Sequence, residues 1–268
     1  ILKMMEIVTF RVYMSPNGAK RTDSGQGWLF WLAHQVFSKN SKWIQNYEKK
    51  TEYKYKGETG AVIGKLYDIA EYYCGDDKFL SGLKFNPENI IDFYKWSSIR
   101  YFLMNYERDI NPKKTIKIED ILKKKADGKI NDLMSIEHIW ATANSIEGDP
   151  DQKNEDKRNK VRLGNFMLLE LGINIQATDD GLEGKIKTYD GNNGKGDKSG
   201  LKQVQLLIKD YVESRGITES ECKEKNVNIS REVTVQTIKK NEERYLVFAK
   251  KRWSIDWAEE YWSDIIND

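Results

Sequence analysis

Apolar positions in this chain recur mostly at three- and four-residue steps, the spacing that gathers them on one face of a helix. Leu2 to Tyr13 opens the chain in that rhythm, and Ser15 to Gln26, with Pro16, Gly18 and Gly25, interrupts it as a loop. Gly27 to Lys39 sets Trp28, Leu29, Leu32, Val36 and Phe37 on one side and predicts a core-packing helix. Lys42 to Lys56 interleaves Trp43, Tyr47, Tyr53 and Tyr55 with lysines, a pattern that fits a half-buried helix and turn better than a base-stacking surface. Val62, Leu66, Ile69, Ala70 and Tyr73 continue as an amphipathic helix. Asn86-Pro87-Glu88 supplies an N-cap residue followed by proline, predicting a central core helix that runs to about Arg108. Ile118 to Lys125 reads as a short helix, with a turn at Asp127-Gly128. Leu201 to Glu213 and Ser230 to Trp253 are further helices, the second turning Val235, Ile238, Leu246, Ala249 and Trp253 inward, with Trp257 and Trp262 folding its tail onto the core.

Between Ser135 and Tyr189 the period changes. Ile136-Glu137-His138-Ile139 alternates apolar and polar, and Phe166 to Leu169, introduced by Gly164-Asn165, is a second short apolar run. Both predict strands. Asn174 follows, on a helix carried to Tyr189 by Leu182 and Ile186. Two strands and a helix, with histidine on the first strand and asparagine on the helix, form a ββα layout suited to metal-assisted phosphodiester cleavage. A hard divalent ion, Mg²⁺ or Mn²⁺, prefers oxygen ligands, which the Glu137 carboxylate and the Asn174 amide supply. A neutral imidazole, His138, takes a proton from water near neutral pH. Asn165, on the facing strand, is expected to orient that imidazole.

The strings I-E-H-I, L-G-N-F-M-L-L-E, I-N and G-K-I-K-T-Y resemble the C-terminal nuclease domain of GmrSD-type restriction endonucleases, members of the HNH or His-Me finger nucleases. The family pattern reads roughly E-H-I-x-P-Q-N, G-N-L-T-L-L, N and F-x-x-K-x-x-x-Y. His138, Asn165, Asn174, Lys185 and Tyr189 fall on its positions. The likeness extends outward to Tyr94–Tyr106 and to Ile238–Trp253. Two departures stand out: Trp140-Ala141 where the family has a residue followed by proline, and Phe166-Met167 for Leu-Thr.

Charge adds where a partner would bind. The 44 basic and 42 acidic residues leave a net charge of +2, so clustering matters more than bulk. Asn144 to Lys160 is a charge-dense loop and short helix, and Lys157, Arg158, Lys160 and Arg162 stand just before the second strand, placed for DNA phosphates; Lys185 is expected to reach along the same backbone, on one helix with Asn174. Gly191 to Gly200 reads as a flexible surface loop. Gly60 to Leu66 fails as a phosphate-binding loop, being one residue short and ending in Leu66 where Ser or Thr is needed. Of the two histidines, His34 has no acidic or cysteine neighbour and reads as structural. Cys74 and Cys222 stand far apart, which argues against zinc and a disulfide framework and for a reducing cytoplasm. Neither a membrane span nor a leader is evident, nor an internal repeat.

The expected fold is mostly α with a small ββα-metal element, α+β in class: a helical supporting region over 1–110 and an HNH-like nuclease region with C-terminal helices over 111–268. Ile1 inside a helical segment reads as a cut from a longer polypeptide. The resemblance implies a metal-dependent DNA endonuclease or nickase of a restriction, phage-defence system acting on modified or foreign DNA, with an upstream ParB-like nucleotide-hydrolysing domain or subunit as partner. The alternative is an inactive DNA-binding or protein-interaction module that retains the ββα element.

Overall fold

A computed structural model describes residues 1–256 apart from 20, 53, 115, 117–133, 142–149, 195–196 and 222–227. The helix expected over 118–125, the turn at Asp127-Gly128, most of the loop before Lys160, Cys222, Trp257 and Trp262 lie outside those residues. The described residues are mostly helical with one two-stranded antiparallel sheet, an α+β arrangement. They form two compact units, Ile1–Lys84 with the chain from Leu246, and Phe85–Tyr245. The division falls at residue 84, where the sequence pattern placed it near 110.

In the first unit, α1 (Leu2–Thr9) runs on as a π-helical turn, Phe10–Met14. It is followed by α2 (Gln26–Phe37), α3 (Ser41–Lys50), α4 (Gly57–Cys74) and α5 (Asp76–Leu83). Helix α4 forms the centre because Ala61, Ile63, Leu66, Ile69 and Ala70 leave no polar face inward. Tyr47 and Tyr55 are buried beside it, so these aromatics belong to the core. Helix α2 departs from expectation: only Leu32 and Gln35 are buried, and Phe37 is 89% exposed. The run Trp28-Leu29-Phe30-Trp31-Leu32 is apolar nearly all round, so burying one narrow stripe leaves the rest outside. Arg11 is buried and needs partners. It donates to the carbonyls of Trp253 (2.6 Å) and Cys74 (3.0 Å) and pairs with Asp76. Phe10 stacks on Trp253 with ring centroids 3.7 Å apart.

In the second unit the helix expected from Asn86 starts only at α6, Ile99–Ile110. Short polar side chains explain the delay by bonding their own backbone in non-helical form. Asn86 Oδ1 accepts from the Glu88 N–H (2.9 Å), and Asp92 Oδ1 accepts from the Tyr94 N–H (3.2 Å), opening a 3₁₀ turn at Phe93–Lys95. Next come β1 (Met134–His138), α7 (Pro150–Lys160), β2 (Phe166–Glu170), α8 (Leu171–Ala177), α9 (Leu182–Tyr189), α10 (Lys202–Glu221) and α11 (Ile229–Arg252). The strands pair with Glu137 opposite Met167 and His138 opposite Phe166.

A two-stranded sheet is marginal alone, and its outer edge needs cover. Gln203 Oε1 accepts from the Leu168 N–H (3.0 Å), and the Tyr245 hydroxyl donates to the Phe166 carbonyl (2.9 Å). Gln203 is itself held by Glu107 of α6, whose carboxylate also accepts from the Lys202 N–H (2.7 Å) and the Gln203 N–H (2.9 Å) at the start of α10. The sheet is thereby fixed to α6, α10 and α11, and with it the ends of the strands where the chemistry-bearing residues stand.

Candidate active site

His138 is the last residue of β1, where its ring can leave the pleat. The imidazole lies 4.6 Å, centroid to centroid, from the exposed ring of Tyr94 and meets Phe166 edge-on at 5.0 Å. Half-burial and the nearby positive charge of Lys185 hold its pKa below the usual imidazole value, against the opposing charges of Asp92 and Asp179. A cavity of about 340 Å³ is lined by Tyr94, Glu137, His138, Asn174, Asp179 and Lys185 among others.

Glu137, one residue back, packs toward α9 and is 4% exposed. Its Oε1 accepts from Lys185 Nζ (2.5 Å) and from the Tyr189 hydroxyl (2.6 Å). No donor among the described residues reaches Oε2. Asn174 on α8 donates through Nδ2 to Ser135 Oγ (2.7 Å) and the Ile136 carbonyl (3.4 Å), leaving Oδ1 without a donor among the described residues. Both residues line the cavity that His138 also lines, and each keeps one oxygen without a donor among the described residues. Among the described residues no three His, Cys, Asp or Glu side chains converge, so a metal bound here would draw on this mixed carboxylate and amide pair. That donor set fits a hard divalent ion and not zinc.

Asn165 stands elsewhere than expected. Fully buried, it accepts from the Trp140 N–H through Oδ1 (2.7 Å) and donates through Nδ2 to the carbonyls of Trp140 (3.2 Å) and Lys160 (2.7 Å). It holds the backbone after His138, not the imidazole ring, and it steadies the stretch where Trp140-Ala141 replaces a residue and proline.

The cations expected to meet DNA divide into two groups. Lys157 and Arg158 are exposed on α7 and make no ion pair among the described residues. Arg162 is taken up by Glu242, with Nε–Oε2 at 3.0 Å and Nη2–Oε1 at 2.8 Å, and lies over the Phe85 ring. Lys160 is buried, its ammonium 5.6 Å from the Trp140 ring centre, and burial lowers its pKa. Lys185 is 1% exposed, with its ammonium held by Glu137 and by the His138 carbonyl (2.6 Å). Nor does it share a helix with Asn174. The chain breaks between α8 and α9, where Thr178 takes a positive φ of 50° ahead of Asp179-Asp180-Gly181. His34 is exposed on α2, apart from this cavity.

Two contributors were not singled out from sequence. Tyr94 opens the Tyr94–Tyr106 stretch of the likeness without a role assigned to it, and it reaches the imidazole from the 3₁₀ turn that stands in place of a helix. Asp179 enters the cavity through the helix break, for which the Asp-Asp-Gly run was the available signal.

A family model described as GmrSD restriction endonucleases, C-terminal domain, matches residues 77–215, more than half of the chain and all of the cavity residues named above. No curated protein and no solved structure matches.

Proposed function

The chain belongs to the family of GmrSD restriction endonuclease C-terminal domains, which implies a nuclease with DNA as substrate, and on that footing we propose a metal-dependent endonuclease or nickase of the HNH, His-Me finger type. In this reading β1, β2 and α8 form the ββα element. The observation that carries it is one cavity lined by His138, Glu137 and Asn174, the last two each with an oxygen, Oε2 and Oδ1, that no described protein donor engages.

His138 accepts a proton from water, whose oxygen attacks the phosphorus; the P–O3′ bond breaks and the departing O3′ takes a proton from a second water, leaving a 5′ phosphate and a 3′ hydroxyl. Glu137 and Asn174 are the residues that would hold a Mg²⁺ or Mn²⁺ ion, which would supply charge stabilisation for the phosphate and the leaving oxygen. Asn165 keeps the chain after His138 in place through Trp140, so the imidazole starts from a fixed strand end. Tyr94 and Phe166 confine the ring on two sides. Lys157 and Arg158 supply exposed charge for the DNA backbone. Restriction of foreign, modified DNA, with an upstream ParB-like nucleotide-hydrolysing domain as partner, completes the proposal by family likeness.

Plasmid nicking tests the reading. The native protein is expected to cut with Mn²⁺ and not with chelator, and His138→Ala to lose about 10²–10⁴ in rate, the usual worth of a general base, with an unchanged circular dichroism spectrum. Cutting by His138→Ala at the native rate removes the imidazole from the chemistry.

A further inference from the structure

Glu137 and Lys185 are both charged and both almost fully buried. Burying charge is costly unless each partner is paired and hydrogen-bonded. Here the pairing is more elaborate than neutralisation needs. Lys185 and Tyr189 are four residues apart on α9, hence on one face. Both donate to the same oxygen of Glu137, Oε1, at 2.5 and 2.6 Å. The Lys185 ammonium makes a further bond, 2.6 Å, to the backbone carbonyl of His138. One face of α9 thus grips two consecutive residues of β1 and leaves Oε2 without a described donor.

We propose that Lys185 and Tyr189 are positioning residues. Their joint hold on Oε1 turns Oε2 of Glu137 into the cavity, and the bond from Lys185 to the His138 carbonyl sets the strand end that aims the imidazole. This replaces a DNA contact as the duty of Lys185, and it rests on the nuclease reading above. The arrangement is selective for a reason of geometry. A carboxylate with two free oxygens can rotate and bind an ion either way, whereas one whose first oxygen carries two donors presents only the second. Groups that hydrogen-bond to metal ligands in this manner are worth about 10–100-fold in metal affinity or activity.

The test uses the full chain with Tyr189→Phe and Lys185→Met. Tyr189→Phe keeps the ring and loses only the donor. Its Mn²⁺ affinity, followed by the free-ion electron paramagnetic resonance signal, is expected to fall by about tenfold. Its affinity for a fixed duplex in chelator should not change. Lys185→Met is expected to lose about 10–100-fold in kcat at saturating Mn²⁺, with KM, duplex affinity and the salt dependence of binding all as in the native protein. A weakened duplex affinity with a flatter salt slope for Lys185→Met makes the lysine a DNA contact and overturns the proposal. Lower melting temperatures with native Mn²⁺ affinity and native kcat reduce the pair to packing and overturn it equally. Should Lys185→Met fail to fold, Tyr189→Phe decides alone by its Mn²⁺ titration. Native protein that neither nicks plasmid nor binds Mn²⁺ overturns the nuclease reading and this one together; native protein that does both, with variants indistinguishable from it, overturns this one only.

Discussion

An imidazole serves as a base only in its neutral form, and the surroundings of His138 favour that form. Burial is the larger cause and the Lys185 charge the next, while Asp92 and Asp179 pull the other way. The acid limb of kcat/KM is therefore expected below the ordinary imidazole value of about 6.5. Removing a carboxylate that stabilises the charged ring, by Asp179→Asn, should move that limb lower still. A pH profile with its acid limb above the ordinary value, or one that rises on Asp179→Asn, contradicts the assignment. The same sign applies to stability: this group's contribution is whole above about pH 6.5 and is lost as pH falls through its depressed folded pKa. Residue type and order marked His138 and Asn174 as candidates in the sequence, and both line one cavity. They said less about which bonds each side chain makes. Lys185 reads as a surface lysine because its burial depends on Glu137, 48 positions away. Asn165 reads as a ring partner because its true partners are backbone atoms, which carry no sequence signature.

Among the elements, the two strands were legible from their alternating and apolar runs, and the longest helix from its periodicity. What escaped were the breaks. Asn86 looked like a helix opener, yet Asn86 and Asp92 both close local turns, and the Thr178 kink divides a helix that apolar spacing alone would join. The Gly164-Asn165 pair shows the same limit. It reads as a turn before a strand, yet a Cβ on Gly164 would come within 2.1 Å of the Ile238 carbonyl and 2.8 Å of the Glu242 side chain. The Asn241 side chain donates through Nδ2 to the Gly164 carbonyl at 2.9 Å, tying α11 to the backbone that leads into β2. Gly164→Ala must push them apart. It is expected to cost about 3 kcal/mol, the upper part of the range for overpacking, and to displace Asn165 enough to slow cleavage. Urea unfolding measures the first effect; a midpoint equal to the native one contradicts the close approach.

For the whole molecule, a net charge of +2 gives little general attraction to DNA, so binding depends on a few placed cations. Lys157→Ala and Arg158→Ala are each expected to flatten the slope of log affinity against log salt by about 0.9. Arg162→Ala should leave the slope alone and lower the melting temperature, since its guanidinium is held by Glu242. Salt titrations of duplex binding separate the two classes, and a flattened slope for Arg162→Ala would restore it as a DNA contact. No helix among the described residues is long and apolar enough to cross a membrane.

The order of the two units along the chain has a consequence during synthesis. The second, Phe85–Tyr245, is one uninterrupted span, while the first draws on residues before Lys84 and again from Leu246. A ribosome therefore emits every residue of the second unit before it supplies Trp253, on which Phe10 stacks and to whose carbonyl Arg11 donates. At about 5–20 residues per second, the helical segment that carries Phe10 and Arg11 waits roughly 10–50 s for that ring. Throughout that interval Phe10 and Arg11 lack the tryptophan with which they later pair.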